Sequence, residues 1–209
     1  MEKHDESSAP LGGASTRERI LDAALAVFAD KGFHATRMDE IVDQSRTSKG
    51  AIYFHFPNKE RLFLALVDQF ADLLERRVLD AIHPHDAGMV RVRVAVETCL
   101  DTFSKYRRPA KILLVQAVGL GAAFEEKRAA ITDRFARLIA RYLDEAVRLG
   151  EIEPIDVSVI SLAWMGAIYA LVIRWVTTGE PAPQQIMSAL VPALLRSVGY
   201  AAPEREKKR

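Results

Sequence analysis

The run Ser48-Lys-Gly-Ala-Ile-Tyr-Phe-His-Phe56 combines residue types suited to contact with a nucleic acid duplex. Ser48, or Thr47 beside it, caps a short helix. Gly50 and Ala51 are small enough to let a helix backbone approach the major groove closely. Ala51 offers a surface for a thymine methyl, and Lys49 can donate to guanine acceptors. Tyr53, His55 and Lys59 carry donors suited to phosphate oxygens, which fix register without reading sequence. Backbone amides at the start of the next helix would add to the same phosphates. This is the chemistry of recognition. No nucleophile, base and orienting group form any of the short catalytic signatures, so the sequence gives an enzyme no support.

Three short helices within about 45 residues would position that run, the size of a helix-turn-helix. The first is predicted to begin near Ser15 or Thr16, with Glu18 in its first turn. Ile20, Leu21, Ala24, Val27 and Phe28 fall on one face of it. Gly32 is predicted to end it in a left-handed conformation, with Phe33 folding back. Thr36 is predicted to cap the second helix, with Asp39 and Glu40 in the first turn. That helix carries Met38, Ile41 and Val42 inward and breaks around Ser45 and Arg46. The third contains Ile52 and ends before Pro57. The fourth starts at Pro57 and Asn58, passes through Leu62, Leu66, Phe70 and Leu73, and reaches about His83.

Residues 15–74 resemble the TetR family of helix-turn-helix transcriptional regulators. The matching features are Ile20-Leu-Asp-Ala-Ala24, Phe28, Gly32-Phe33, Thr36, Ile41, Ser48 to Phe56, Lys59-Glu60 and Leu62. The resemblance implies an all-α fold: an N-terminal three-helix DNA-binding domain at 15–74, with its helix-turn-helix at 37–56, then a helical effector-binding and dimerisation domain at 75–198. It implies that Lys49, Gly50, Ala51 and Tyr53 face bases or nearby backbone. His55 and Lys59 would bind phosphate, and Thr36 and Arg37 would approach the flank. Arg46, Thr47 and Ser48 complete the candidate DNA-binding set. Arg46 departs from the family, which often has glycine in that turn. It must hold the turn at some strain, or add a phosphate contact of its own.

With 209 residues and a net charge of +1, the chain is long enough for a substantial core and is no polycation. From Asp43 to Arg61 four cations face two acids, a local +2 to which His34 and His55 can add. So modest a charge makes operator affinity depend on two copies acting together. The single cysteine, Cys99, can form no intramolecular disulfide and no CxxC zinc pattern, which points to the reducing cytoplasm. Its apolar neighbours Val96, Leu100 and Phe103 suggest burial. Residues 1–14 read as a disordered polar leader without a signal sequence, and 199–209 as a charged tail. The turn at 83–88 holds His83 and His85 with Asp86 but no third ligand in helical register, so no metal is expected. Gly119-Leu-Gly121 follows no strand and is no nucleotide fingerprint. No cofactor is expected.

Beyond the turn, helices are predicted near 88–105, 109–119, 123–149, 155–178 and 183–198, separated by glycine and proline. Here the resemblance is architectural. It implies that helices five to seven enclose an effector cavity and that the last two form a four-helix bundle with a second subunit. Val157 to Ile173 contains no charge but falls short of the ~20 residues a spanning helix needs, so a core or interface helix is expected and no membrane. Ala163, Gly166, Ala167 and Ala170 would let helices approach closely, and Ile186, Leu190, Leu194 and Leu195 line one face of the last helix. An exposed apolar surface of that size argues for a permanent homodimer. Candidate effector contacts are Phe103, Tyr106, Leu113, Gln116, Phe135, Ile139, Trp164, Tyr169 and Trp175, though most are equally at home in a core. Arg174, like Arg107 and Arg108, offers a partner for an acidic head or for a surface glutamate. The expected function is a repressor released from a palindromic double-stranded DNA operator by a hydrophobic or amphipathic small molecule. A transcriptional activator of the same fold is the alternative, ahead of a helical adaptor without DNA binding.

Overall fold

The computed structural model describes residues 15–116 and 120–200; the expected leader, most of the charged tail and the side chains of Leu113 and Gln116 lie outside the described residues. Regular structure among them is entirely helical. The elements are α1 (Thr16–Ala35), α2 (Met38–Ser45), α3 (Lys49–His55), α4 (Lys59–Ile82), α5 (Gly88–Lys105), α6 (Arg107–Lys111), α7 (Ala122–Arg148), α8 (Val157–Thr178) and α9 (Pro183–Ser197). A π-helical turn, Ile112–Gln116, continues α6 directly. Two compact units divide between Phe63 and Leu64, inside α4, so that helix belongs to both.

In the first unit, α1 starts where its cap dictates. Ser15 Oγ accepts from the Glu18 amide at 3.2 Å, and the Glu18 carboxylate accepts from the Ser15 amide at 2.7 Å. These bonds hold the Glu18 carboxyl below its ordinary range. Ile20, Leu21, Ala24 and Phe28 are buried, at helical spacing. Gly32 does take a positive φ of 79°, but its ψ of 171° is extended and not left-handed helical. The chain therefore kinks there and winds on to Ala35. That extra turn sets the Phe33 ring edge-on to Phe63 at 5.1 Å, with Phe28 edge-on to Phe63 at 5.0 Å.

Thr36 does not cap α2. It is buried, and its hydroxyl donates to the Gly32 carbonyl at 2.6 Å, so α2 begins one residue later. Arg37 occupies the cap position, and its amide donates to the Glu40 carboxylate at 3.3 Å.

The second unit packs α7 against α5 and α8, with α9 lying on α5 and α8. At the start of α5 the backbones nearly touch: a Cβ at Gly88 would stand 2.8 Å from the Ala146 amide nitrogen. The Glu151 carboxylate accepts from the Gly88 and Met89 amides at 3.2 and 2.7 Å, supplying the cap that Ala87 cannot. Gly88→Ala is expected to destabilise the protein by about 1–3 kcal/mol, because the obstruction is backbone that cannot rotate away. Chemical denaturation checks this. α6 starts at Arg107, two residues before the predicted Pro109, because proline is tolerated in a first turn.

α8 begins at Asp156, whose carboxylate accepts from the Ser158 and Val159 amides. Ser161, Trp164, Ile168, Val172, Trp175 and Val176 face inward. Val159, Leu162, Ala163, Gly166 and Ala170 face outward and are exposed. By length and composition alone this helix could cross a membrane, and only 22% of its most apolar window is buried. Within a single chain it is thus a half-covered helix, with an apolar outer stripe.

Candidate nucleic-acid interface and effector cavity

Between α2 and α3 the turn depends on Arg46, which has φ 53° and ψ 40°. This is the left-handed conformation that costs an L-residue roughly 1–2 kcal/mol. Neighbours over-determine it. The Arg46 amide reaches the Asp43 and Val42 carbonyls. Arg19 of α1 donates to the Ser45 and Arg46 carbonyls at 3.2 and 2.9 Å, and the Ser45 and Thr47 hydroxyls share a 2.8 Å hydrogen bond. The strain expected at Arg46 is therefore present, while its side chain is exposed. Arg46→Gly is expected to stabilise the protein by about 1 kcal/mol, checked by denaturation. If Arg46 also meets a phosphate, the salt slope of DNA binding falls by about one.

α3 is capped by Ser48, whose Oγ accepts from the Ala51 amide at 3.1 Å. Ile52 and Phe56 are buried beneath it and fix its roll. The solvent face then carries Lys49, Gly50, Tyr53 and Phe54, with Ala51 and His55 half-buried at its edges. Lys49 Nζ donates to Asp39 at 2.9 Å, and the ammonium holds that carboxyl below its ordinary range. Both partners are exposed, so the pair is weak enough for Lys49 to exchange Asp39 for a nucleic acid acceptor. Phe54, outside the expected contact set, is 84% exposed and sits edge-on to His55. A large apolar ring one helical turn beyond Gly50, on a polar face, was the available signal.

Two expected contacts turn inward. Lys59 Nζ donates to the carbonyls of Phe33, Thr36 and His34 at 2.7, 2.8 and 3.3 Å, and stands 4.6 Å from the centre of the Phe33 ring. An ammonium has three donors, and all three have acceptors within the protein, so Lys59 has a structural role that a phosphate contact would have to displace. Thr36 is likewise buried, with its hydroxyl engaged by Gly32. Arg37, Arg46, Thr47, Ser48, Lys49, Gly50, Ala51, Tyr53 and His55 remain at least partly accessible on α2, the turn and α3.

The second unit encloses a cavity of about 70 Å³ between α4, α5, α7 and α8. Of the expected contacts, Phe103, Phe135, Ile139 and Tyr169 line it. The other four described ones do not. Tyr106 packs near Phe70 and under the Arg77 guanidinium. Trp164 is buried, with Nε1 donating to Ser197 Oγ at 3.2 Å, which ties α8 to α9. Trp175 is buried beneath Arg107, and Arg174 is exposed. Pattern alone could not separate these from cavity residues, because core and cavity share a composition. Cys99, Arg128 and Thr132 also line the wall. Burial pushes the Cys99 thiol up to about 12, in keeping with an unreactive packing residue.

Residues 20–66 match the family model of bacterial regulatory proteins, tetR family, and residues 85–198 match that of the tetracyclin repressor-like C-terminal domain. Among curated relatives, the transcriptional activator FasR of Mycolicibacterium smegmatis is 29% identical over 169 residues, covering 79% of this chain and 74% of FasR. Among solved structures, the regulator FadR of Bacillus subtilis, in complex with stearoyl-CoA, aligns with a TM-score of 0.76 at 20% identity. That alignment covers 88% of this chain and 98% of FadR. AibR, in complex with isovaleryl coenzyme A and operator DNA, aligns with a TM-score of 0.69 at 23% identity, covering 86% of this chain and 97% of AibR. With its helix-turn-helix and the greater part of its length both matched, the chain belongs to the TetR family of bacterial transcriptional regulators.

Proposed function

We propose that this protein is a cytoplasmic, non-enzymatic homodimer that represses transcription from a palindromic operator and leaves it when an amphipathic, acyl-chain effector fills the α4–α5–α7–α8 cavity. The observation that carries DNA binding is the face of α3. A capped helix, anchored by Ile52 and Phe56, presents Lys49, Gly50, Tyr53 and Phe54 to solvent. Lys49 and Ala51 would read base edges. Tyr53, His55, Arg37, Arg46, Thr47 and Ser48 would hold phosphates, and Phe54 would pack on sugar or thymine methyl.

The outer stripe of α8, with the exposed Ala189, Pro192 and Ala193 of α9, supports dimerisation, since a second copy would cover them. Two recognition helices would then enter major grooves one turn apart, about 34–36 Å. An almost wholly apolar cavity wall supports an acyl-chain effector, as do the acyl-CoA ligands of FadR and AibR. At about 70 Å³ the cavity is well below the roughly 300–1,000 Å³ of an occupied ligand site. An effector must therefore select or create a wider arrangement of these helices. Binding to the wider state then weakens the DNA-bound state by linkage. The activator FasR favours a second reading, in which the same machinery activates from a differently placed operator.

Fluorescence anisotropy of a selected operator tests this. Dodecanoyl-CoA is expected to raise the apparent Kd in a saturable way. Operator binding that ignores acyl chains of every length would refute the effector reading and leave DNA binding standing.

A further inference from the structure

Along the apolar wall of the cavity stands one charged side chain, Arg128, accompanied by the hydroxyls of Thr132 and Tyr169. These polar groups gather at one end. Arg128 and Thr132 are one turn apart near the start of α7, and Tyr169 of α8 lines the same wall. The Tyr169 hydroxyl also donates to the Leu114 carbonyl at 3.3 Å, inside the π-helical turn. Val78, Ala95 and Ile139 belong to the cavity's apolar lining.

Ion pairs fix that polarity. Lys127 pairs with Asp68 near one end of α7, with Arg134 of α7 pairing with Asp72 of α4 further along both helices, and Arg91 pairs with Glu145 near the other end. α4 thus runs parallel to α7 and α5 antiparallel to it. Val78 and Ala95 are accordingly remote from Arg128.

We infer that Arg128, assisted by Tyr169, receives the oxygen-bearing head of an acyl effector, while its methylene chain runs along α7 toward Ile139. The inference deepens the effector reading above and rests on it. The shared chemistry is an acyl oxygen, belonging either to the carboxylate of a free fatty acid or to the carbonyl of its thioester. Arg128 and Ile139 are eleven residues apart on one helix, about 16 Å at the helical rise, which suits a single unbranched chain. The guanidinium is already paired with Glu125, three residues before it. Glu125 is therefore the internal competitor whose place the ligand oxygen takes. A planar guanidinium, about a third exposed beside an apolar wall, favours a carboxylate or carbonyl over a hydroxyl because the bond is charge-assisted and can be bidentate. Engagement of Tyr169 by the head also reaches the π-helical turn, an irregularity frequent at functional sites.

Isothermal titration of the full-length protein with dodecanoic acid, dodecanoyl-CoA and dodecan-1-ol tests this. The wild type is expected to bind the acid or the thioester about tenfold or more tightly than the alcohol, as loss of one bond to a charged group requires. The tighter of the two identifies the head. Arg128→Met is expected to remove that preference, Arg128→Lys to be intermediate, and Glu125→Gln to tighten the acid. Thermal melts of each variant exclude loss of fold. Equal binding of all three ligands by the wild type, or unchanged preference in Arg128→Met, overturns the role of Arg128 while sparing the acyl-chain reading. Failure of all three to bind wild type overturns that reading and this inference together.

Discussion

Leu162→Arg is expected to leave a folded monomer and to weaken operator binding roughly 10²–10⁴-fold, the loss that follows when two linked sites become independent. Leu162 lies at the middle of the α8 outer stripe and is 52% exposed in the single chain, so the substitution leaves the buried core untouched. In a dimer the same position would bring a guanidinium into an apolar interface, where desolvating the charge costs several kcal/mol. Gly166 gives an independent check. Nothing lies within 4 Å of a Cβ placed there, so Gly166→Phe is tolerated by the monomer and obstructs only the close approach of two helices. Sedimentation and operator affinity should change together in both variants. A monomeric variant that binds the operator like the wild type would break the link between α8 and DNA binding.

Lys59→Met is expected to destabilise the protein by about 3 kcal/mol, because three carbonyls at the kinked end of α1 lose a charged donor together. The sequence alone suggests a different result: weaker binding to every duplex and a salt slope lower by about one. The two outcomes separate cleanly. On the geometry described, stability in urea falls while the slope for residual DNA binding stays unchanged. Wild-type stability with a reduced slope would return Lys59 to the phosphate.

Much of the scaffold was legible because its punctuation is local. The turn at 83–88 and the glycine and proline pairs after α7 and α8 set helix limits that the structure reproduces within a few residues. α5 agrees at both ends. Errors arose where one residue type serves two geometries. Thr36 has the hydroxyl of a cap, but a threonine hydroxyl can equally donate four residues back, and it does. Gly32 supplies a positive φ without ending the helix, and Pro109 marks a first turn instead of a first residue. Lys59 shows its charge in sequence, but not that three carbonyls converge on it. Arg128, three residues after Glu125, reads as a solvated helix face, and only the packing of α7 against α5 and α8 shows that it also borders the cavity. Trp164 and Trp175 share their composition with the cavity residues Phe135 and Tyr169 and could be sorted only by position.

Selection of duplex DNA from a random pool by the purified full-length protein tests the central claim most directly. An inverted repeat is predicted, with half-site centres one helical turn apart, about 10–10.5 base pairs, or a multiple of it. Tyr53→Ala should bind the selected sequence more weakly than the wild type. Failure to enrich any sequence, or enrichment of a lone half-site without its inverted mate, would contradict a dimer that reads DNA through α3.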